Sequence, residues 1–95
     1  MKLVWSEQAR QEWVAQYRFY LERNPDTARR FRWAVMEGAK RLRAHPKIGR
    51  PGRVAGSREL VIGGTPFLLV YDENPARVEI LHLYDGRQNW QASDE

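Results

Sequence analysis

The sequence predicts an α+β domain with the element order β-α-α-β-β-β. Three observations lead to this fold class. Two stretches in the N-terminal half place apolar residues at spacings of three and four, stretches rich in apolar residues follow residue 57, and short spacers containing Gly or Pro separate those later stretches. These patterns are typical of amphipathic helices followed by strands that pair through hairpins. We therefore expect an antiparallel sheet with an N-terminal helical hairpin packed on one face.

The N-terminal half predicts one short strand and two helices. Residues 2–5 alternate as in a strand, and Ser6 is a good N-cap for a helix that continues to about residue 23. Asn24 and Pro25 end this helix and begin the next, because Asn caps helices well and Pro is tolerated at the first helical position. The second helix continues to about residue 44. The predicted core residues are Ala9, Trp13, Tyr17, Tyr20 and Leu21 in the first helix and Ala28, Phe31, Val35, Ala39 and Leu42 in the second.

The C-terminal half predicts a basic loop and three strands. Residues 45–56 contain two prolines, three glycines, one lysine and two arginines and show no periodicity, which is typical of a loop. Strands are expected at about 58–62, 67–72 and 78–84. The spacers between them are short enough for hairpins, so these strands should pair antiparallel as a meander.

The middle strand of that meander is apolar on both faces. Phe67, Leu69 and Tyr71 point to one face, and Leu68 and Val70 point to the other. Two helices can cover only one face of a sheet, so the second face needs another cover. We favour a partner protein as that cover, and the alternative is a loop or the C-terminal tail.

Size and composition restrict the class of protein. Ninety-five residues are enough for one modest core, so we assign residues 1–95 to a single domain. The absence of Cys excludes disulfides and thiolate catalysis. The N-terminus lacks the pattern of a signal peptide, and no apolar stretch approaches the roughly 18 residues of a membrane span. We therefore expect a soluble protein of the cytoplasm that does not bind membranes.

The charged residues indicate the kind of partner. The net charge is +4, and thirteen of the 16 basic residues are Arg. Guanidinium groups bind carboxylates and phosphates with two parallel hydrogen bonds, so an acidic protein and a nucleic acid are both possible partners. Two apolar residues of the second helix, Trp33 and Met36, lie away from its core stripe. Their exposure is either incidental or marks a contact with a partner chain.

The sequence predicts neither a metal site nor a cofactor. His45 and His82 are the only histidines, they lie on different elements, and no acidic residue stands at ligand spacing near either one. The segment from Gly49 to Gly52 precedes a strand, whereas a phosphate-binding loop precedes a helix and carries a Lys-Ser/Thr pair.

An ordered set of short motifs resembles the toxins of the RelE/ParE superfamily, and it covers nearly the whole chain. The matching motifs are Trp5-Ser6 with Ala9, Asn24-Pro25 with Ala28, the loop 49–53, Gly56 to Leu60, Phe67 to Tyr71, and Gly86-Arg87 with Trp90. The resemblance implies the fold of these toxins and a role in a type II toxin–antitoxin module. It also implies a separate antitoxin chain that wraps the toxin. The residues expected to bind the antitoxin are Trp33, Met36, Leu68 and Val70.

Two positions distinguish the branches of this superfamily. RelE-like nucleases, which cut mRNA on the ribosome, usually carry a catalytic Arg where this sequence has Leu68, and many relatives carry His where it has Asp85. A carboxylate at that position would repel phosphate. The resemblance therefore favours the ParE-like branch, whose members inhibit DNA gyrase without cleaving RNA. The residues expected to contact the target are Arg50, Arg53, Arg58, Arg87 and Trp90.

Two alternatives remain at this stage. The first is a RelE-like, metal-independent mRNA endonuclease with Arg58, Arg87, His82 and Tyr84 as its catalytic residues, because RNA cleavage needs a base, a cation and an acid. His82 lies between two leucines of a strand, which favours a structural role for it. The second alternative is a non-enzymatic nucleic-acid-binding module. In the favoured hypothesis the protein is not an enzyme, and it meets nucleic acid only through its antitoxin or target.

Overall fold

The computed structural model describes residues 1–87, which form two helices and a five-stranded sheet. The elements are β1 (Lys2–Trp5), α1 (Glu7–Arg23), α2 (Pro25–Ala44), β2 (Arg50–Pro51), β3 (Arg58–Val61), β4 (Phe67–Glu73) and β5 (Arg77–Asp85). The strand order in the sheet is β1-β5-β4-β3-β2. The predicted α+β class is confirmed, and so are the helical hairpin and the antiparallel meander of β3, β4 and β5.

The sheet differs from the prediction at its two edges. It is mixed and not wholly antiparallel, because β1 pairs parallel with β5, with Leu3 beside Val78 and Trp5 beside Ile80. The expectation of antiparallel pairing holds for strands that are joined by hairpins, whereas both helices separate β1 from the strands that follow. At the other edge, the predicted basic loop contains the two-residue strand β2, which pairs antiparallel with β3.

The helix caps follow the prediction and also attach α1 to the sheet. The Ser6 hydroxyl accepts a hydrogen bond from the Ala9 backbone N–H at 3.0 Å and donates one to the Leu81 carbonyl at 3.0 Å. The Asn24 side chain accepts from the Thr27 N–H at 3.2 Å and begins α2. Because β1 ends at residue 5, Ser6 provides the next hydrogen-bonding partner for the edge of β5.

The core lies between the helical hairpin and one face of the sheet. Phe31 of α2 and Phe67 of β4 meet edge to face with ring centroids 5.4 Å apart, and Tyr20 of α1 approaches Phe31 at 4.9 Å. Aromatic pairs favour this geometry, and each adds to the stabilisation from burial. Leu21 was predicted to be a core residue, but it is 39% exposed. The helical stripe is therefore narrower than its apolar pattern suggested.

The second face of the sheet is not an open apolar surface, so the expected exposure of Leu68 and Val70 is wrong. Their exposed fractions are 3% and 0%. Glu59 of β3 lies directly across from Val70, and the loop after β2 donates a hydrogen bond to the Glu59 carboxylate from the Arg53 backbone N–H. The loop after β2 therefore contacts the residue that lies beside Val70 on this face. A contact of Leu68 and Val70 with an antitoxin stays a prediction.

Tyr71 of β4 fixes the connection between α2 and β2. Its hydroxyl donates to the Pro46 carbonyl at 2.8 Å and accepts from the Gly49 N–H at 2.9 Å. Burial of the ring raises the pKa of the Tyr71 hydroxyl, so the group stays protonated and able to donate. A Cβ atom on Gly49 would lie 2.6 Å from the Tyr71 hydroxyl oxygen, so only Gly fits at this position. The Tyr71 side chain therefore fixes the start of the basic loop.

Replacing Tyr71 by Phe should lower the free energy of unfolding by about 1–3 kcal/mol, because a buried N–H and a carbonyl lose their partner. The measurement is urea unfolding followed by circular dichroism. Tyr17→Phe is the matched control, since no hydrogen bond involves its hydroxyl within residues 1–87; its effect should stay within about 0.5 kcal/mol. Equal effects of the two substitutions would contradict the role of the Tyr71 hydroxyl.

Candidate functional site

Two of the predicted target-binding arginines surround one buried carboxylate. Arg50 donates to Oε1 of Glu59 from Nε at 3.3 Å and from Nη2 at 3.1 Å. The Arg53 backbone N–H donates to Oε2 at 3.1 Å, and Arg53 Nε lies 3.6 Å from that same oxygen. The Glu59 side chain is 2% exposed, whereas those of Arg50 and Arg53 are 54% and 48% exposed. Two accessible guanidinium groups therefore share a carboxylate that solvent does not reach.

The loop that carries these arginines is held by its own backbone. The Gly52 N–H donates to the Ser57 carbonyl at 2.8 Å, and the Ser57 hydroxyl donates to the Val54 carbonyl at 2.7 Å. Gly56 has a φ of 80°, which favours Gly over any residue with a Cβ. Hydrogen bonds thus close the segment from Gly52 to Ser57 into a compact turn with Val54 exposed near its tip.

Arg58 is bound within the fold more than it faces solvent. It lies across from Tyr71 on the helix-covered side of the sheet, and its Nη1 atom donates to the Gly49 carbonyl at 2.9 Å. Its Nε lies 3.9 Å from a carboxylate oxygen of Glu73 on the neighbouring strand. The target contact of Arg58 stays a prediction, but the structure shows its guanidinium beside the Glu73 carboxylate.

Arg87 forms a two-pronged ion pair with Asp85. Its Nε donates to Oδ1 at 3.0 Å and its Nη2 to Oδ2 at 2.8 Å, and Nη2 also donates to the Tyr20 hydroxyl at 3.0 Å. The hydrogen bonds from Arg87 hold the pKa of the Asp85 carboxyl below its usual value, although burial of Asp85 acts in the opposite direction. The guanidinium that matches a family arginine is thus already bound to a carboxylate.

His82 and Tyr84 form a stacked pair on the other face of the sheet. Their ring centroids are 4.8 Å apart with an interplanar angle of 14°. Glu12 of α1 places both carboxylate oxygens 3.3 Å from His82 Nδ1 and accepts from the Leu83 backbone N–H at 3.0 Å. Burial, and secondarily the Glu12 charge, raise the pKa of the Tyr84 hydroxyl. His82 therefore helps to attach α1 to the edge of β5, as expected for a structural histidine.

The two arginines proposed for a nuclease site lie at opposite ends of β4. In the register of the sheet, Arg58 lies across from Tyr71, and Asp85, which forms the ion pair with Arg87, lies across from Phe67. Phe67 and Tyr71 are four residues apart on β4, and four residues of a strand span about 13 Å. The backbone positions of Arg58 and Asp85 are therefore separated by about that distance along the strands.

The other two nuclease candidates lie on a different face from Arg58. Tyr84 is across from Leu68 and His82 is across from Val70, on the face opposite the helices. Arg58 shares the helix-covered face with its partner Tyr71. The structure does not bring Arg58, Arg87, His82 and Tyr84 together at one reacting phosphate.

Trp33 stands beside a groove between the two helices. It is 66% exposed, and the adjoining groove has a volume of about 460 Å³. The groove is lined by Tyr17, Arg29, Arg32, Trp33 and Met36. Met36 is partly buried against the core, and two arginines also line the groove. The expected exposure is confirmed for Trp33 and wrong for Met36, and the contact of both residues with a partner stays a prediction.

Three further expectations concern Trp90, a metal site and a membrane span. Trp90, a predicted target contact, lies outside the described residues. Within residues 1–87, no cluster of three or more His, Cys, Asp or Glu side chains could hold a metal ion. No helix in this part of the chain has the length and apolar character needed to span a membrane.

Sequence reasoning missed two carboxylates that organise the site. Glu59 holds the two loop arginines, and Glu12 contacts β5 from a distant helix. The signal for Glu59 is its position: it lies in the predicted strand at 58–62, beside the strand that was expected to be apolar on both faces, and a buried acidic residue requires a partner. Nothing in the sequence around Glu12 pairs it with residues 82 and 83.

Comparisons with known proteins agree on one family. The family model described as the ParE toxin of the type II toxin–antitoxin system parDE matches residues 3–90. The Sinorhizobium fredii (strain NBRC 101917 / NGR234) protein named "Putative toxin Y4kP" is 35% identical over 72 residues, which cover 75% of this chain and 74% of that protein.

Two solved structures are similar to this fold. A chain of the "Chromosomal ParDE TA system from P. aeruginosa" superposes with a TM-score of 0.78 at 27% identity and covers 90% of this chain and 95% of its own length. The "YoeB/ParE toxin from Agrobacterium tumefaciens" superposes with a TM-score of 0.56 at 18% identity, over 90% of this chain and 98% of its own. The second likeness supports the fold alone.

The ion pair at Asp85 predicts a specific dependence of stability on pH. Because its folded pKa is lowered, Asp85 contributes stability above the pKa of the unfolded chain, about 4, and loses that contribution as pH falls through the folded pKa. Asp85→Asn should therefore lower the unfolding temperature at pH 7 and have less effect at pH 3. The exposed Asp72→Asn is the control, and a pH-independent effect of Asp85→Asn would contradict the assignment.

Proposed function

Because this chain belongs to the ParE toxin family of type II toxin–antitoxin systems, we propose that it inhibits DNA gyrase without cleaving RNA and is neutralised by a cognate antitoxin. The observation that carries this proposal over an mRNA endonuclease is the ion pair between Arg87 and Asp85. A phosphate bound at Arg87 would lie beside the negative charge of Asp85, which opposes its binding.

The separation of the other candidate groups supports the same conclusion. Metal-free RNA cleavage needs a base, an acid and a cation within hydrogen-bond reach of one phosphate. Arg58 is bound to the Gly49 carbonyl, and His82 is held by Glu12 on the opposite face of the sheet. Leu68, which stands where the resemblance places a catalytic Arg, is buried. The geometry thus favours a toxin that acts through a protein contact.

The target contact is proposed to involve the loop arginines first. Arg50 and Arg53 are each about half exposed and lie on one side of the molecule, beside Glu59. Arg58 and Arg87 are at opposite ends of β4, so they contribute at the borders of a contact surface and not at its centre. Trp90 remains a proposed contact on the basis of the family resemblance.

The antitoxin is proposed to bind the groove beside Trp33. Helix α2 contains six basic and two acidic residues, a net +4 that equals the charge of the whole chain; the remaining ten basic and ten acidic residues cancel. An antitoxin segment with acidic residues around an apolar anchor would complement this helix. The "Chromosomal ParDE TA system from P. aeruginosa", one chain of which has this fold, is a toxin–antitoxin system. Leu68 and Val70 are buried, so the proposed contact centres on Trp33 and Met36.

Gyrase inhibition can be tested with toxin that has been separated from a co-expressed antitoxin. We expect the toxin to block DNA supercoiling by purified gyrase and to leave translated mRNA intact in a primer-extension assay. Codon-specific cuts in the mRNA would contradict the proposal. Tight, steeply salt-dependent binding to duplex DNA without gyrase inhibition would instead support a nucleic-acid-binding module.

Removing the Trp33 ring should weaken antitoxin binding by about 30-fold, because buried aromatic anchors often contribute about 2 kcal/mol or more to an interface. The measurement is titration calorimetry of toxin with antitoxin. Phe19→Ala is the matched control, since Phe19 is another exposed aromatic residue, 45% accessible, on α1. Wild-type affinity of Trp33→Ala would place the antitoxin elsewhere.

A further inference from the structure

Glu59 is a buried acidic residue on a strand of the sheet. It lies on β3 directly across from Arg50 on β2 and Val70 on β4, on the face opposite the helices. Its side chain is 2% exposed. An apolar residue would fit the neighbourhood of Val70 and Leu68 without any cost of removing a carboxylate from water. The presence of Glu at this position therefore calls for a function of its charge.

The bonds of Glu59 are made to the loop arginines and to the loop backbone. Oε1 accepts both hydrogen bonds from Arg50, and Oε2 accepts the Arg53 backbone N–H and lies 3.6 Å from Arg53 Nε. Both oxygens are thus directed at the same loop. The carboxylate fixes the turn and the direction of two guanidinium groups at once.

The resulting cluster remains positive and accessible. Two guanidinium groups and one carboxylate sum to +1, and the arginine side chains keep 54% and 48% of their surface exposed. Each guanidinium has five N–H donors in a planar fork, and the bonds of Arg50 to Glu59 use only its Nε and Nη2 atoms. An arginine that is already held in place loses less side-chain freedom when it binds, and this is the physical advantage of pre-organisation.

The neighbours of the cluster favour protein carboxylates as that second anion. Val54 is 36% exposed near the loop tip, and Pro51 is exposed between the two arginines. Interfaces with nucleic acid are strongly positive, whereas here the Glu59 carboxylate removes half of the local positive charge. A surface that combines apolar groups with two directed guanidinium groups is typical of a protein interface.

We propose that Glu59 is a positioning residue that presents Arg50 and Arg53 as one rigid pair to the carboxylates of an acidic segment on the protein target. The proposal rests on the proposed function, because it takes gyrase as that target. It assigns the charge of Glu59 to target recognition and not to the stability of the sheet.

The experiment measures the affinity of toxin variants for purified gyrase in the absence of DNA. Glu59→Gln keeps the size of the side chain and removes its charge, and it should weaken binding by about tenfold. Glu79→Gln is the control, since Glu79 is a partly buried carboxylate paired with Arg77 on the same face of the sheet. Affinity for the antitoxin, measured in parallel, should stay within about twofold of wild type if the fold is intact.

Coupling between the residues distinguishes positioning from a general structural role. In an Arg50→Ala, Arg53→Ala background, Glu59→Gln should cause no further loss of gyrase affinity. An unchanged tenfold loss in that background, or wild-type affinity of Glu59→Gln alone, would overturn the proposal. If Glu59→Gln does not fold, the Arg50→Lys, Arg53→Lys variant decides: it keeps the charges but loses the planar forks, so wild-type affinity would overturn the proposal.

Two further outcomes separate this inference from the proposed function. If wild-type toxin neither binds nor inhibits gyrase, the proposed function fails before any variant is compared. If the Arg50→Ala, Arg53→Ala variant loses affinity only when DNA is bound to gyrase, the arginine pair binds DNA phosphate. The assignment to protein carboxylates is then overturned.

Discussion

The two helices can cover only one face of the five-stranded sheet, so the other face must be stabilised without them. On the covered face, aromatic rings from both helices and β4 form the core. On the other face the chain uses polar groups: Glu59 receives the loop arginines, and His82 stacks on Tyr84 beside Glu12. Leu68 and Val70, on this same face, are buried. Charged side chains thus form internal contacts on the face where a target or partner would be expected to bind.

The fold also makes the arginines differ in their availability for binding. In a sequence they are equivalent positive charges, but in the fold each has a different internal partner. Arg87 is bound to Asp85, Arg58 to main-chain carbonyls, and Arg50 to Glu59. A cation that is already paired with a carboxylate is a poor stabiliser of a phosphate in a transition state, whereas a half-exposed pair held by a buried carboxylate is well suited to a protein contact. The arrangement of charge therefore favours binding over RNA cleavage.

Local signals predicted local structure well. Ser6, Asn24 and Pro25 gave the helix boundaries because capping depends on residues within one turn. The parallel pairing of β1 with β5 was not predictable in the same way, since it depends on how the helical hairpin returns the chain across the sheet.

The site residues were predicted only as residue types. Periodicity placed Leu68 and Val70 on the second face, but it could not show that they are buried, because burial depends on groups that are distant in the sequence. The role of Glu59 was not predicted for the same reason. Arg50 and Arg53 become its neighbours only through the pairing of β2 with β3. Long-range pairing, and not composition, decides which charges are available.

The central claim is that this ParE-family chain meets its target through the arginine loop and not through the region of Arg87. Hydrogen exchange of the backbone amides, measured by mass spectrometry with and without gyrase, tests it most directly. The account predicts slower exchange in residues 49–57 on gyrase binding. Unchanged exchange in that loop, with protection confined to residues 82–87, would contradict it.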